Sequence, residues 1–149
     1  MKKKQEIQKS LTAAMKARDE DTKRTLRLVM SAIKLIEVEK GGEIDDSRIL
    51  GILQKEVKTR EDSIKEAKQA NREDLVKIAQ REIEILNQFL PQQMTSDELR
   101  LLATEIIKEI DAESIRDMGR VMKLLMPQLA GCASGHDASN IVKEILQSK

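Results

Sequence analysis

From Ile7 to Leu146, apolar residues return every three or four positions, and no stretch alternates with the two-residue period of a strand. A chain patterned in this way buries one stripe per helix, so the predicted fold class is all-α. Composition closes the alternatives. With 2 Pro and 6 Gly in 149 residues, turn residues are too few for a sandwich or a barrel. Phe89 is the one aromatic residue, so the core has to be built from Leu, Ile, Val, Met and Ala. The 7 Met residues make such a core adaptable.

The pattern divides at its punctuation. Ile7, Leu11, Ala14 and Met15 share a face and predict a first helix over residues 1–18. Asp19-Glu20-Asp21 suits the start of a second helix, where carboxylates meet the positive end of the dipole. That helix carries Leu26, Val29, Met30, Ile33 and Ile36, and Gly41-Gly42 stops it. Asp45 is the expected N-cap of a third helix, with Ile44 stapled on Ile49, running to about Ala70. Asn71 is expected to cap a fourth, through Leu75, Ile78, Ala79, Glu82, Ile83, Leu86 and Leu90, which Pro91 should end. After Pro91-Gln92-Gln93, the segment Thr95-Ser96-Asp97-Glu98 has the spacing of a capping box. A fifth helix follows over Leu99–Ile110. A sixth starts at Ser114 with Asp117 and carries Ile115, Met118, Val121, Met122 and Leu125, and a last one is expected after Asp137. Two units result: an N-terminal domain of about four helices over 1–91, and a three-helix tail domain over 95–149.

Gly119 lies within the regular pattern of the sixth helix, where glycine costs about 1 kcal/mol relative to alanine. The compensation expected there is a backbone passing close by, or a partner that needs the flat surface. Catalytic chemistry finds little material. Cys132 and His136 are four apart in a loop with no third member to orient the imidazole. One His and one Cys also fall short of a zinc set, and neither phosphate-cradling glycine motif occurs. No cofactor or metal is expected. The stretch from Gly131 to Gly135 precedes a helix, and its backbone N–H groups are an alternative anion cradle. The chain shows no apolar run long enough for a membrane and no secretory leader, which makes the cytoplasm the expected compartment.

Charge is the remaining lead. The net charge is +1, yet residues 1–34 hold 10 Lys/Arg against 4 Asp/Glu, while residues from Gln92 onward hold 7 against 9. Lys16, Arg18, Lys23, Arg24, Arg27 and Lys34 flank the first helix junction, and Lys55, Lys58 and Arg60 form a second group. Such groups bind phosphate by releasing counterions. Readers of single-stranded RNA stack bases on aromatic rings, so a chain with one Phe should read folded shape and backbone instead.

Several short motifs, in order along the whole chain, resemble the GatB/YqeY family. Ala14-Met15-Lys16-Ala17-Arg18-Asp19 with Thr25-Leu26-Arg27-Leu28 is similar to its opening, and Leu53-Gln54-Lys55-Glu56-Val57-Lys58-Thr59-Arg60 to its middle. Asn71-Arg72-Glu73-Asp74-Leu75 and the run Glu82 to Pro91 resemble the segment before the linker, and Asp117-Met118-Gly119-Arg120-Val121-Met122 with Ile141-Val142-Lys143 resembles the tail. The resemblance implies a helical bundle followed by a three-helix tail of the kind that ends the B subunit of the glutamyl/aspartyl-tRNA amidotransferase. In that enzyme the tail helps grip tRNA, and catalysis belongs to domains not found here. It therefore implies a non-catalytic YqeY-like protein that binds tRNA or another structured RNA, with Arg120, Lys123 and Lys143 as tail candidates. Gly119, Pro91 and Gly131 are then structural. The alternatives are an accessory of glutamine-dependent carbon–nitrogen ligase chemistry, partnered by an amidotransferase or synthetase subunit, and a helical protein–protein adaptor. One departure stands out. Where the family usually has a basic residue, Ala, Asp, Gly and often Lys after Gly131, this chain has Cys132, Ala133, Ser134, Gly135 and His136.

Overall fold

The computed structural model describes residues 2–149, which form seven α-helices and no strand. The helices are α1 (Lys2–Ala17), α2 (Glu20–Lys40), α3 (Asp46–Gln69), α4 (Glu73–Asn87), α5 (Ser96–Glu109), α6 (Met118–Leu129) and α7 (Gly135–Gln147). A single 3-10 turn, Ile115–Asp117, leads into α6. The chain packs as two compact units, Met1–Pro91 and Gln92–Lys149.

In the first unit α1 packs on α2 and α3 on α4, with α2 also touching α3 and α4. Two-residue and three-residue corners join the paired helices, which makes them antiparallel. The corners are set by capping. Asp19 accepts a hydrogen bond from the Thr22 backbone N–H at 3.2 Å, and Asp45 accepts one from Arg48 N–H at 2.9 Å. Gly41 closes α2 at φ 81°, and the N–H groups of Gly41 and Gly42 both donate to Glu37 O. Ile44 and Ile49, the expected staple, are both buried in one cluster with Ile7, Leu26, Ile33, Leu53 and Leu86. Phe89 joins that cluster, so the one ring of the chain works as core.

A polar junction crosses this aliphatic core. Arg60 on α3 is 8% exposed. Its guanidinium donates to Glu56 Oε2 at 2.6 Å and to Glu82 Oε2 of α4 at 3.4 Å. The Thr25 hydroxyl of α2 lies 3.3 Å from the same Glu82 oxygen and 2.8 Å from Asp21 O. Arg60 Nε is buried without a hydrogen-bond acceptor among the described residues, a cost the paired nitrogens must outweigh.

The second unit buries Leu99, Ala103, Ile107, Val121, Leu125 and Val142 among its three helices. Thr95 caps α5 by accepting from Glu98 N–H at 3.1 Å, and its hydroxyl meets Glu98 Oε1 at 3.2 Å. Ser114 and Asp117 form a reciprocal capping box. Asp117 Oδ2 accepts from the N–H groups of Glu113 at 2.9 Å and Ser114 at 3.4 Å. These backbone donors, with Arg120 beside them, hold the Asp117 carboxyl below its ordinary value of 3.8.

Several expectations are corrected. Asn71 does not cap α4; it turns the corner at φ 57°, and Arg72 takes the cap position without a side-chain bond. Short polar Asn is at home in that left-handed conformation. Pro91 does not end α4, which stops at Asn87, four residues earlier. The last helix begins at Gly135 rather than after Asp137, because Ser134 accepts from Asp137 N–H at 3.0 Å. Met15 on α1, Leu75 and Ile78 on α4 and Ile115 in the 3-10 turn are exposed, and on α4 it is Val76 and Ile85 that are buried. Pro127 sits inside α6 and does not stop it.

The close approach expected at Gly119 is also absent. Gly119 is exposed in the first turn of α6, and a Cβ there would meet nothing within 4 Å. Replacing it removes unfolded-state entropy without a clash, so Gly119→Ala should stabilise the protein by about 0.4–1 kcal/mol, read from the denaturant midpoint. Arg60→Leu leaves the half-buried Glu82 carboxylate without its cation and should cost about 3 kcal/mol, the lower end of what losing a buried partner costs. In the double variant Arg60→Leu/Glu82→Leu, chemical denaturation should recover most of that loss. Asp117 is a carboxylate with a lowered folded pKa, so its contribution is present above 3.8 and lost as pH falls through the folded value. In Asp117→Asn, acid titration of the unfolding midpoint should therefore show a shallower decline below about pH 4 than in the unaltered chain.

Candidate nucleic-acid interface

At about 100° per residue, the core side chains of α2 (Leu26, Val29, Ile33) leave the opposite side to solvent. Arg24, Arg27 and Lys34 fall on that exposed side, with Lys23 half-buried at its edge. Lys23 reaches Glu20 at 3.6 Å and Arg24 reaches Asp21 at 3.1 Å, both one turn back. Exposed pairs of this kind contribute little and dissociate easily in favour of a better anion. Arg27 and Lys34 meet no carboxylate among the described residues. Both line a shallow groove between α1 and α2 with Lys4, Leu11, Met30 and Glu37. Lys4 is tied there to Glu37 at 2.8 Å; that bond leads the causes holding the Glu37 carboxyl below its ordinary range. A second shallow groove, sharing Arg27 and Ser31 with the first, is lined by Glu20, Lys23, Arg24 and Leu28.

Lys16 and Arg18 sit at the end of α1, exposed and without a carboxylate partner among the described residues. Arg18 itself is the corner, at φ 57°. Asp19 beside it is held below its ordinary value by the Thr22 hydroxyl and N–H, with Arg81 4.0 Å away. The structure thus gathers Lys23, Arg24, Arg27 and Lys34 along α2, with Lys16 and Arg18 at the corner where the helix starts.

The second group does not assemble. Lys55 is exposed in a depression with Asp45, Ser47 and Arg48 near the start of α3. Lys58 is paired with Asp62 at 3.5 Å. Arg60 is not a surface cation: it points inward, and its charge is taken up by Glu56 and Glu82. Arg48, which shares the depression with Lys55, escapes a reading by spacing because no second cation lies one turn away from it on α3.

In the second unit Arg120 donates to Asp117 at 3.0 Å and to the Ile110 carbonyl at 3.1 Å, which engages much of its guanidinium. Lys123 on α6 and Lys143 on α7 are exposed. Gly131 turns the α6–α7 corner at φ 80°, and its carbonyl accepts from Gln93 Nε2 at 2.8 Å. Pro91, the last residue of the first unit, is half-buried. In the Cys132–His136 loop, Cys132 Sγ lies 4.0 Å from Ala130 O, while the His136 ring meets the Asn140 amide at 3.3 Å. At the start of α7, where an anion cradle is expected, the Ser134 hydroxyl accepts from the Asp137 N–H, Asp137 adds an acidic side chain to that turn, and the Cys132 N–H of the loop donates to Leu129 O. No cluster of three His, Cys, Asp or Glu able to hold a metal ion occurs among the described residues.

Comparison with known proteins places these features in a family. The profile of the Yqey-like protein family matches residues 4–146. A protein of Clavispora lusitaniae named "Altered inheritance of mitochondria protein 41, mitochondrial" is 31% identical over 143 residues, covering 93% of this chain and 81% of its own. The protein of that name from Lachancea thermotolerans is 34% identical over 96 residues, covering 64% of this chain and 51% of its own. One from Saccharomyces cerevisiae is 37% identical over 90 residues, covering 60% and 49%. Over these last two relatives the chain spans about half of their length. No described helix is long and apolar enough to cross a membrane. A helical chain matched from residue 4 to residue 146 belongs to the YqeY-like family.

Proposed function

We propose that this chain is a non-catalytic module that binds structured RNA, tRNA above all, through its phosphate backbone. The observation that carries the proposal is the pair Arg27 and Lys34, exposed on α2 with no carboxylate partner among the described residues. They lie two turns apart, about 10 Å along the helix axis, far enough for the two long side chains to reach separate phosphates. Lys16, Arg18, Lys23 and Arg24 extend the positive surface toward the α1–α2 corner. Phe89 is 6% exposed and offers no ring to stack a base, which leaves backbone and shape as what is read.

The test is a salt titration of binding to folded tRNA, with an unstructured strand of the same length beside it. Folded tRNA should bind more tightly, with log affinity falling linearly in log salt concentration. Arg27→Gln/Lys34→Gln should lower that slope by about 0.7–0.9 for each phosphate that is no longer neutralised. Lys123→Gln/Lys143→Gln measures the share of the tail in the same units. Equal slopes for the α2 variant and the unaltered chain, or no binding at low salt, would sink the proposal.

A further inference from the structure

Three large apolar side chains stand in solvent along one line of α2: Leu28, Leu35 and Val38, at 51, 62 and 70% exposed. With Ser31 they follow 3-4-3 spacing, the rhythm of a seam between two helices. At about 100° per residue the four positions fall within roughly 80° of one another, and Arg24 lies in the same strip. A helix lying in a bilayer presents a wider apolar sector without polar residues in its middle, so the narrow strip fits a second helix better.

The edges of the seam decide what kind of helix. One edge carries Arg27 and Lys34, seven apart, both without a carboxylate partner among the described residues. The other carries half-buried Ala32 and exposed Glu39. A second copy laid antiparallel across a two-fold axis would set the Arg27/Lys34 edge against its own equivalent, cation facing cation, and one laid parallel would pair Lys34 with Glu39 but leave Arg27 facing Ala32. A partner helix with carboxylates on that edge would instead neutralise both while its apolar residues cover Leu28, Leu35 and Val38. We infer that the outer face of α2 is a docking surface for an amphipathic helix of another protein, apolar along its seam and acidic on the edge that meets Arg27 and Lys34. The docking surface shares Arg27 and Lys34 with the proposed RNA surface and differs from it in its apolar anchors, Leu28, Leu35 and Val38.

A displayed library of peptides matched to α2 in length, with a fixed leucine seam and edges randomised among Glu, Gln and Lys, tests it against the full chain. Enrichment of Glu on one edge is expected. The selected peptide, made synthetically, should bind Leu28→Ser/Leu35→Ser at least about tenfold more weakly, a loss of about 1.4 kcal/mol. Arg27→Gln/Lys34→Gln should weaken it as well. Both leucines are exposed, and Leu35→Gln serves as a second variant should the double one lower the unfolding midpoint. The tRNA salt titration of Leu35→Gln should match that of the unaltered chain while its peptide binding is weakened, which separates the apolar seam from the phosphate contacts of Arg27 and Lys34. Selection without acidic bias, or a selected peptide that binds the leucine variant equally well, would overturn the inference. A dimer in sedimentation that the leucine variant abolishes would overturn it in favour of a second copy. Co-flotation with anionic phosphatidylserine vesicles, absent in that variant, would overturn it in favour of a bilayer.

Discussion

The pairing of Arg60 with Glu82 is the interaction on which the arrangement of the first unit turns. An aliphatic core attracts without direction, and helices built from Ile, Leu and Val can slide along one another at modest cost. A buried guanidinium is less forgiving. It holds α3 to α4 at one register through Glu82, and the Thr25 hydroxyl brings α2 to the same oxygen. Glu56, one turn before Arg60 on α3, completes the neutralisation. The orphaned Nε is the one part of the guanidinium that this junction leaves without an acceptor among the described residues. Charge inside the protein thus sets geometry, while charge outside is free to meet a ligand.

The same division explains why a chain with net charge +1 presents a positive surface at all. Glu20, Asp21 and Asp62 neutralise neighbours one turn away, and Glu56 and Glu82 are committed to Arg60. Glu37 is committed to Lys4 and the Ile44 N–H. Once these pairings are drawn, Lys16 and Arg18 at the α1–α2 corner and Arg27 and Lys34 along the exposed side of α2 are among the cations without a carboxylate partner among the described residues. Local pairing, not bulk charge, decides where a polyanion would be felt.

Helix number and most starts are legible because they rest on short-range chemistry. Asp19, Asp45, Thr95 and Ser114 each cap the helix they precede, as their spacing to the first turn indicates. The misses come from longer range or from backbone preference. Met15, Leu75 and Ile78 fit an apolar stripe by spacing, yet the stripe is wider than the neighbour that covers it. Arg60 is indistinguishable from Lys58 in sequence; only the approach of α4, bringing Glu82, separates a buried cation from a solvated one. Gly119 is costly enough in sequence to suggest a partner within the chain, but the structure places it in an exposed first turn with no close neighbour, and its cost of up to about 1 kcal/mol is simply borne.

Four corners of the chain pass through the left-handed region on residues other than glycine: Arg18, Asn71, Asp111 and Ala130. Asn and Asp adopt this conformation readily, whereas Arg and Ala bear roughly 1 kcal/mol or more of strain. The packed helices on either side hold Arg18 and Ala130 where they are, so the corners follow the cores rather than shape them. Such corners can change in sequence without moving the helices they join. The cost is a fold that sits somewhat below the stability its own architecture allows.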